Sequence, residues 1–268
     1  MSQPPRLTAD AFPEEIHAAL GRIQHLDYPA QGQTSDVVFV ESARGSFAIK
    51  RARQQPYRDW LRREYHVLNA LAATALPIPA AYTFVESNTP ESDEYWLLIA
   101  RLPGQPLRQV LRSAPSASAR GRLLRAYGEL LGDIHRCAPP APLAALDQPW
   151  LDTMLRRAAD YLKHYHVDGT PALLRSLEQQ RPRPAAPVLI HGDYTLDNIL
   201  VAGGRVGGVV DWAGGAAGDP RYDLALATQP EPEAFRSPAD MEAFYEGYRG
   251  EPITAEEAGY FLGLYEFF

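Results

Sequence analysis

The stretch HGDYTLDNILV (191–201), followed by GVVDW (208–212), decides the fold. Around it the short apolar runs VLI (188–190), NILV (198–201) and VGGVVDW (206–212) alternate with polar breaks, the pattern of brief, buried strands. Gly203-Gly204 reads as the two-residue hairpin turn between the last two runs. Three oxygen-bearing side chains stand at the ends of these runs: Asp193, Asn198 five residues on, and Asp211 thirteen beyond that. Carboxylate and amide oxygens, without His or Cys, suit a hard octahedral ion such as Mg²⁺ rather than zinc. Magnesium keeps waters and takes one or two protein oxygens plus phosphates, which Asn198 and Asp211 can offer. Asp193 is then left to accept a proton from an attacking hydroxyl. Singly, each residue also reads as an ordinary turn or strand-cap residue; the ordered set carries the reading.

The chain on either side is organised in two parts. Within 1–100, residues 11–25 are expected to be helical, with Ile16, Ala19, Leu20 and Ile23 on one face. SDVVFVES (35–42) and SFAIKRA (46–52) are strand-like, joined by Ala-Arg-Gly. A helix follows over 57–74, with Trp60, Leu61, Tyr65, Leu68 and Leu71 aligned. Two further strands, AAYTFVE (80–86) and EYWLLIA (94–100), flank the turn-rich SNTPESD. RLPGQPL (101–107) reads as a linker. Residues 108–268 are mostly helical: periodicity predicts helices over 116–137 and 150–167, RPRPAAP (181–187) breaks the pattern, and helices resume from Arg221. The expectation is an α+β chain with a small antiparallel lobe (1–100) and a helical lobe (108–268).

Composition narrows the function. The chain has 268 residues, one cysteine and a formal net charge of −7. A single cysteine excludes an internal disulfide or a CxxC metal knuckle, and Cys137 reads as a small core residue. The acidic balance argues against nucleic acid as a partner. No apolar run of about 20 residues suggests a membrane span, and the N-terminus lacks a signal pattern. A cytoplasmic protein is expected. Residues 101–187 hold 13 basic against 7 acidic groups, and 188–268 hold 4 against 14. Two readings stay open: solvated helices, or a carboxylate-lined pocket for metal ions and a cationic substrate. Of 26 basic residues only Lys50 and Lys163 are lysine; codon bias and chance explain two lysines as well as a need for a compact point charge does, so they stand as two positions to check.

HGDYTLDN resembles the HGDxxxxN catalytic loop of the aminoglycoside phosphotransferase and choline kinase superfamily. Asp211-Trp212 is similar to that family's metal-binding Asp, and GDPRYDLA (218–225) to the segment that follows it. The resemblance implies a bilobal, protein-kinase-like fold with ATP as donor (GTP is the alternative) and Mg²⁺ as cofactor. Asp193 would deprotonate the substrate hydroxyl, and Asn198 and Asp211 would hold the metal. Lys50 in AIK (48–50) would fix the phosphates, paired with Glu64 on the next helix. EYWLLIARLPG matches the adenine-binding hinge, where Ala100 would offer its carbonyl and Leu102 its amide. QGQTSDVVFV (31–40) takes the place of the phosphate-covering loop, with Gln33, Thr34 and Ser35 as donors, although it departs from G-x-G-x-x-G. Gly192 stands where regulated protein kinases place Arg, and six residues separate Asp211 from Gly218. A long regulatory loop has no room there, so a small-molecule hydroxyl acceptor is expected.

His191, Asp219 and Asp223 read as structural supports for the loop, and His135, in LLGDIHRC, as a core residue at the end of an apolar helix face. The apolar segment AEEAGYFLGLYEFF (255–268) either docks into the core or marks a shortened pocket. The leading function is an ATP-dependent O-phosphotransferase, acting as a monomer or homodimer. The alternatives are a catalytically idle nucleotide-binding module of the same fold and a metal-dependent hydrolase built on Asp193 and Asp211.

Overall fold

The computed structural model describes residues 7–29, 35–89, 92–144, 148–232 and 234–268. The chain divides into two compact units: Met1–Ala72 with Ile78–Leu102, and Ala73–Pro77 with Pro103–Phe268.

The first unit is an antiparallel sheet with two α-helices among its described residues. After α1 (Glu14–Leu20) come β1 (Ile23–Asp27), β2 (Asp36–Ser42), β3 (Gly45–Ala52), α2 (Tyr57–Leu71), β4 (Ala81–Thr89) and β5 (Ser92–Ala100). The strands lie in the order β1-β2-β3-β5-β4. One sheet face closes on a core of Phe12, Ile16, Leu20, Val38, Val40, Ile49, Trp96 and Leu98. Side chains alternate faces along a strand. Ile49 therefore enters this core while Lys50 emerges opposite, and α2 packs against β3, β4 and β5.

Three expectations are corrected here. The helix predicted over 11–25 stops at Gly21, whose φ of +65° no helix continues through; Ile23 opens an edge strand paired with Ser42. The segment SNTPESD is not a separate loop, because β4 and β5 run through most of it and pair as far as Thr89 with Ser92. Along α2 the buried positions are Leu61, Glu64, Val67, Leu68 and Leu71, while Trp60 and Tyr65 are only half-buried.

The second unit is mostly helical. It contains β6 (Gln105–Pro106), α3 (Leu107–Arg112), α4 (Ala117–Arg136), α5 (Ala141–Ala144), α6 (Trp150–His164) and α7 (Pro171–Gln179). Then follow β7 (Val188–Ile190), β8 (Ile199–Ala202), β9 (Arg205–Val209), β10 (Ala216–Gly218), α8 (Pro220–Ala227), α9 (Pro238–Tyr248) and α10 (Ala255–Tyr265). The expected linker is not free-standing: Gln105 and Pro106 pair with Val201 and Leu200, making a three-stranded sheet β6-β8-β9. α7 has no counterpart in the periodicity reading; Thr170 caps it and Pro171 opens it. The apolar segment 255–268 docks: Phe261, Leu264 and Phe267 are fully buried in a core shared with α6, α7 and α8. Cys137 is half-buried at the end of α4 rather than in the core. Among the described residues no helix is long and apolar enough to cross a membrane.

Candidate active site

The loop between β7 and β8 is held from below by buried polar groups. Asp223 on α8, wholly buried, accepts the His191 N–H at 2.7 Å and the Gly192 N–H at 2.8 Å. A buried carboxylate needs such partners, and two backbone donors plus His135 Nε2 at 3.3 Å supply them. His191 bonds Val210 O through Nε2 at 2.9 Å, and its Nδ1 accepts the Asp193 N–H at 3.2 Å. Those contacts fit the neutral Nε2–H tautomer, and burial holds the imidazole below its ordinary pKa. His191 is therefore a strut against Trp212, whose ring lies 4.6 Å away. Tyr194 and Tyr127 stack at 4.8 Å and exchange hydroxyl-to-carbonyl bonds of 2.8 and 3.0 Å, tying the loop to α4.

Gly192 has a physical requirement. Its φ is +81°, and a Cβ there would lie 2.5 Å from the Gly214 carbonyl. An arginine at this position has neither the backbone conformation nor the space.

This scaffold presents the predicted trio. Asn198, nearly buried, donates from Nδ2 to Asp193 Oδ2 at 2.7 Å and to the Asp193 carbonyl at 2.8 Å. Its own carbonyl accepts the Val210 N–H at 3.0 Å, which sets Asp211 one residue beyond. Asp211 follows β9 in the left-handed region, φ 65° and ψ 57°, a conformation that costs energy outside glycine and that clusters at functional sites. Burial pushes the Asp193 carboxyl up to about 7, against the pull of hydrogen bonds from Tyr265 and Asn198; the charges of Asp211 and Asp223 raise it further.

The donor set fits Mg²⁺. The Asn198 amide nitrogen is committed to Asp193, so Oδ1 is the atom it has for a cation, and the Asp211 carboxylate would supply a second kind of hard oxygen. Among the described residues no group of three His, Cys, Asp or Glu side chains forms a metal cage. An ion that keeps waters and phosphate ligands needs none.

In the first unit Lys50 and Glu64 are brought together. Lys50 Nζ lies 2.6 and 2.8 Å from the two Glu64 oxygens, and both residues are buried. Glu64 is therefore not part of a solvated charged face of α2, although Arg62 and Arg63 precede it. Ala100 ends β5 with its N–H on the Ala80 carbonyl at 2.8 Å, and Leu102 follows Arg101, whose N–H bonds Ser46 O at 3.0 Å. Ser35 is half-buried ahead of β2. The other expected loop donors, Gln33 and Thr34, and Gly32 lie outside the described residues. Asp219 caps α8 through the Arg221 N–H, and Lys163 is exposed on α6.

One group escaped the sequence reading. Tyr265, at the end of α10, donates its hydroxyl to Asp193 Oδ1 at 2.7 Å. Its position four residues after Phe261 marked it only as part of an apolar helix face.

Known proteins resemble this chain in sequence and in fold. The model of a family described as "Phosphotransferase enzyme family" matches residues 25–261. A homoserine kinase of Pseudomonas aeruginosa (strain LESB58) is 25% identical over 250 residues, 89% of this chain and 76% of that protein. The crystal structure of an aminoglycoside-3'-phosphotransferase of type VIII is similar with a TM-score of 0.73 at 21% identity, over 95% of this chain and 98% of that one. A thermostable mutant of the aminoglycoside phosphotransferase APH(4)-Ia, in ternary complex with ADP and hygromycin B, gives a TM-score of 0.66 at 17% identity, over 93% and 86% of the two chains. The structural likenesses establish the kinase-like α+β fold. With the family match spanning most of its length, the chain belongs to the phosphotransferase enzyme family.

Proposed function

We propose that the protein is an ATP-dependent O-phosphotransferase that moves the γ-phosphate to a hydroxyl of a small molecule. The observation that carries this reading is the Asp193 carboxylate, held by Asn198 Nδ2 at 2.7 Å on a loop braced by Asp223. Such a group accepts the proton of the acceptor hydroxyl while that oxygen attacks phosphorus and the bond to the leaving ADP oxygen breaks. Lys50, oriented by Glu64, places a compact positive charge on the nucleotide phosphates. Asn198 and Asp211 would hold Mg²⁺, which supplies charge neutralisation to the phosphates when bound. Ala100 and Leu102 would receive the adenine through backbone groups, with Ser35 as a further donor to the phosphates. GTP is the alternative donor.

The test is ADP release with ATP and Mg²⁺ across a panel of hydroxyl compounds: homoserine, choline, gentamicin and hygromycin B. A productive acceptor yields one phosphorylated product per ADP. Asp193→Ala should lower that turnover by about 10²–10⁴ while leaving nucleotide affinity within a few-fold. Equal turnover in the variant would sink the assignment. Nucleotide binding without ADP release for any acceptor would favour the idle module instead.

A further inference from the structure

We propose that Tyr265 is a positioning residue for phosphoryl transfer: its hydroxyl fixes the Asp193 carboxylate in the orientation that takes the acceptor's proton. The inference rests on the phosphotransferase reading above. Tyr265 Oη donates to Asp193 Oδ1 at 2.7 Å, and Asn198 Nδ2 donates to Oδ2 at 2.7 Å. Rotation of a carboxylate about its Cβ–Cγ bond is only weakly restrained by the torsion itself. One donor on each oxygen sets its plane, and each oxygen keeps a further acceptor site for the incoming hydroxyl.

The two donors have different origins. Asn198 belongs to the same loop as Asp193, whereas Tyr265 lies 72 residues away in sequence. α10 is built to deliver it. A capping box of Thr254 and Glu257 fixes the helix start. Phe261, Leu264 and Phe267 are fully buried, and the Tyr265 ring lies 6.3 Å from that of buried Tyr222. The helix end already carries Phe267 and Phe268, so a phenylalanine at 265 would suit the packing. The hydroxyl is what tyrosine adds, and the catalytic carboxylate is where it goes.

A double-mutant cycle tests this. Tyr265→Phe, Asp193→Ala and the double variant are compared with the unaltered protein, using the panel member it phosphorylates fastest. Tyr265→Phe should lower kcat about tenfold, the worth of one hydrogen bond to a charged group, with KM for ATP within about twofold. In the Asp193→Ala background the same substitution should cost less than about twofold, because its target is gone. Melting temperatures should agree within about 3 °C, since only a hydroxyl is lost. A tenfold loss in both backgrounds would make Tyr265 a general structural residue and overturn the proposal. So would an unchanged kcat in Tyr265→Phe, or phosphate found on Tyr265 by mass spectrometry after incubation with ATP and Mg²⁺. Absence of phosphorylated product from the unaltered protein refutes the phosphotransferase reading itself, a failure distinct from those three.

Discussion

Lys50 and Glu64 illustrate how much a single residue choice conveys. Arginine serves nearly everywhere in this chain, so a lysine on a β-rich run already asked for a reason. The structure supplies it: Nζ fits between the two Glu64 oxygens in a buried position on β3. An arginine there is longer and planar, and its fork would be absorbed by Glu64 instead of presenting a point charge. Lys50→Arg should lower kcat/KM for ATP by about 10²-fold, comparable to loss of one preorganised donor to developing charge. Steady-state kinetics with a parallel thermal melt decides the matter, and retained activity would contradict the assigned role. The trio Asp193, Asn198 and Asp211 was legible because its members are close in sequence and flank short apolar runs. Tyr265 was not legible, because its partner lies in another element and nothing local distinguishes its hydroxyl from a neighbouring phenylalanine's ring.

Elements were legible where local chemistry agreed with tertiary pairing. The β2–β3 hairpin and α4 follow their patterns closely, α2 keeps its expected start though not its whole expected face, and the Gly203-Gly204 turn joins β8 to β9 as expected. β1 and β6 were missed for the opposite reason. Each is defined by a partner strand, β2 for one and β8 for the other, and its own sequence looks helical or loop-like. The contact between α4 and α9 was equally hidden. A Cβ on Gly247 would run into the Arg125 carbonyl, and one on Gly128 into the Phe244 carbonyl, so the two backbones meet where each helix lacks a side chain. Gly247→Ala should force the helices apart and destabilise the protein by about 1–3 kcal/mol, an overpacking cost. Chemical denaturation reads the loss directly. Kinetic constants of the remaining folded enzyme should not change, since neither helix carries a reacting group. Wild-type stability in this variant would show that the helices do not pack this closely.

For the whole molecule, the uneven charge along the chain has a structural use that neither sequence reading anticipated. The basic segment 101–187 pairs with the acidic segment 188–268 inside the second unit: Arg108 with Asp197 and Glu231, Arg120 with Asp240, Arg125 with Glu246. Part of the acidic excess, Asp197, Glu231, Asp240 and Glu246, is therefore matched within the protein. Arg120–Asp240 is the pair that matters most, because both side chains are buried between α4 and α9. Burial alone would raise the Asp240 carboxyl. Hydrogen bonds from Arg120 at 3.0 Å and from Ser237, with the Arg120 charge and the Arg236 N–H, outweigh it and leave the group below its ordinary value. A carboxylate depressed in the folded state contributes stability above its unfolded pKa, about 3.9, and loses it as pH falls through the folded value. Asp240→Asn leaves Arg120 buried without a counter-charge, which should cost about 3–5 kcal/mol at pH 7. Urea unfolding of the two proteins from pH 7 to pH 3 should show that gap beginning to narrow below about pH 4, where the unfolded chain's carboxylate takes up its proton while the native one, held lower, still keeps its charge. A gap of constant size would mean that Asp240 acts through the shape of the α9 cap alone, and not through its charge on Arg120.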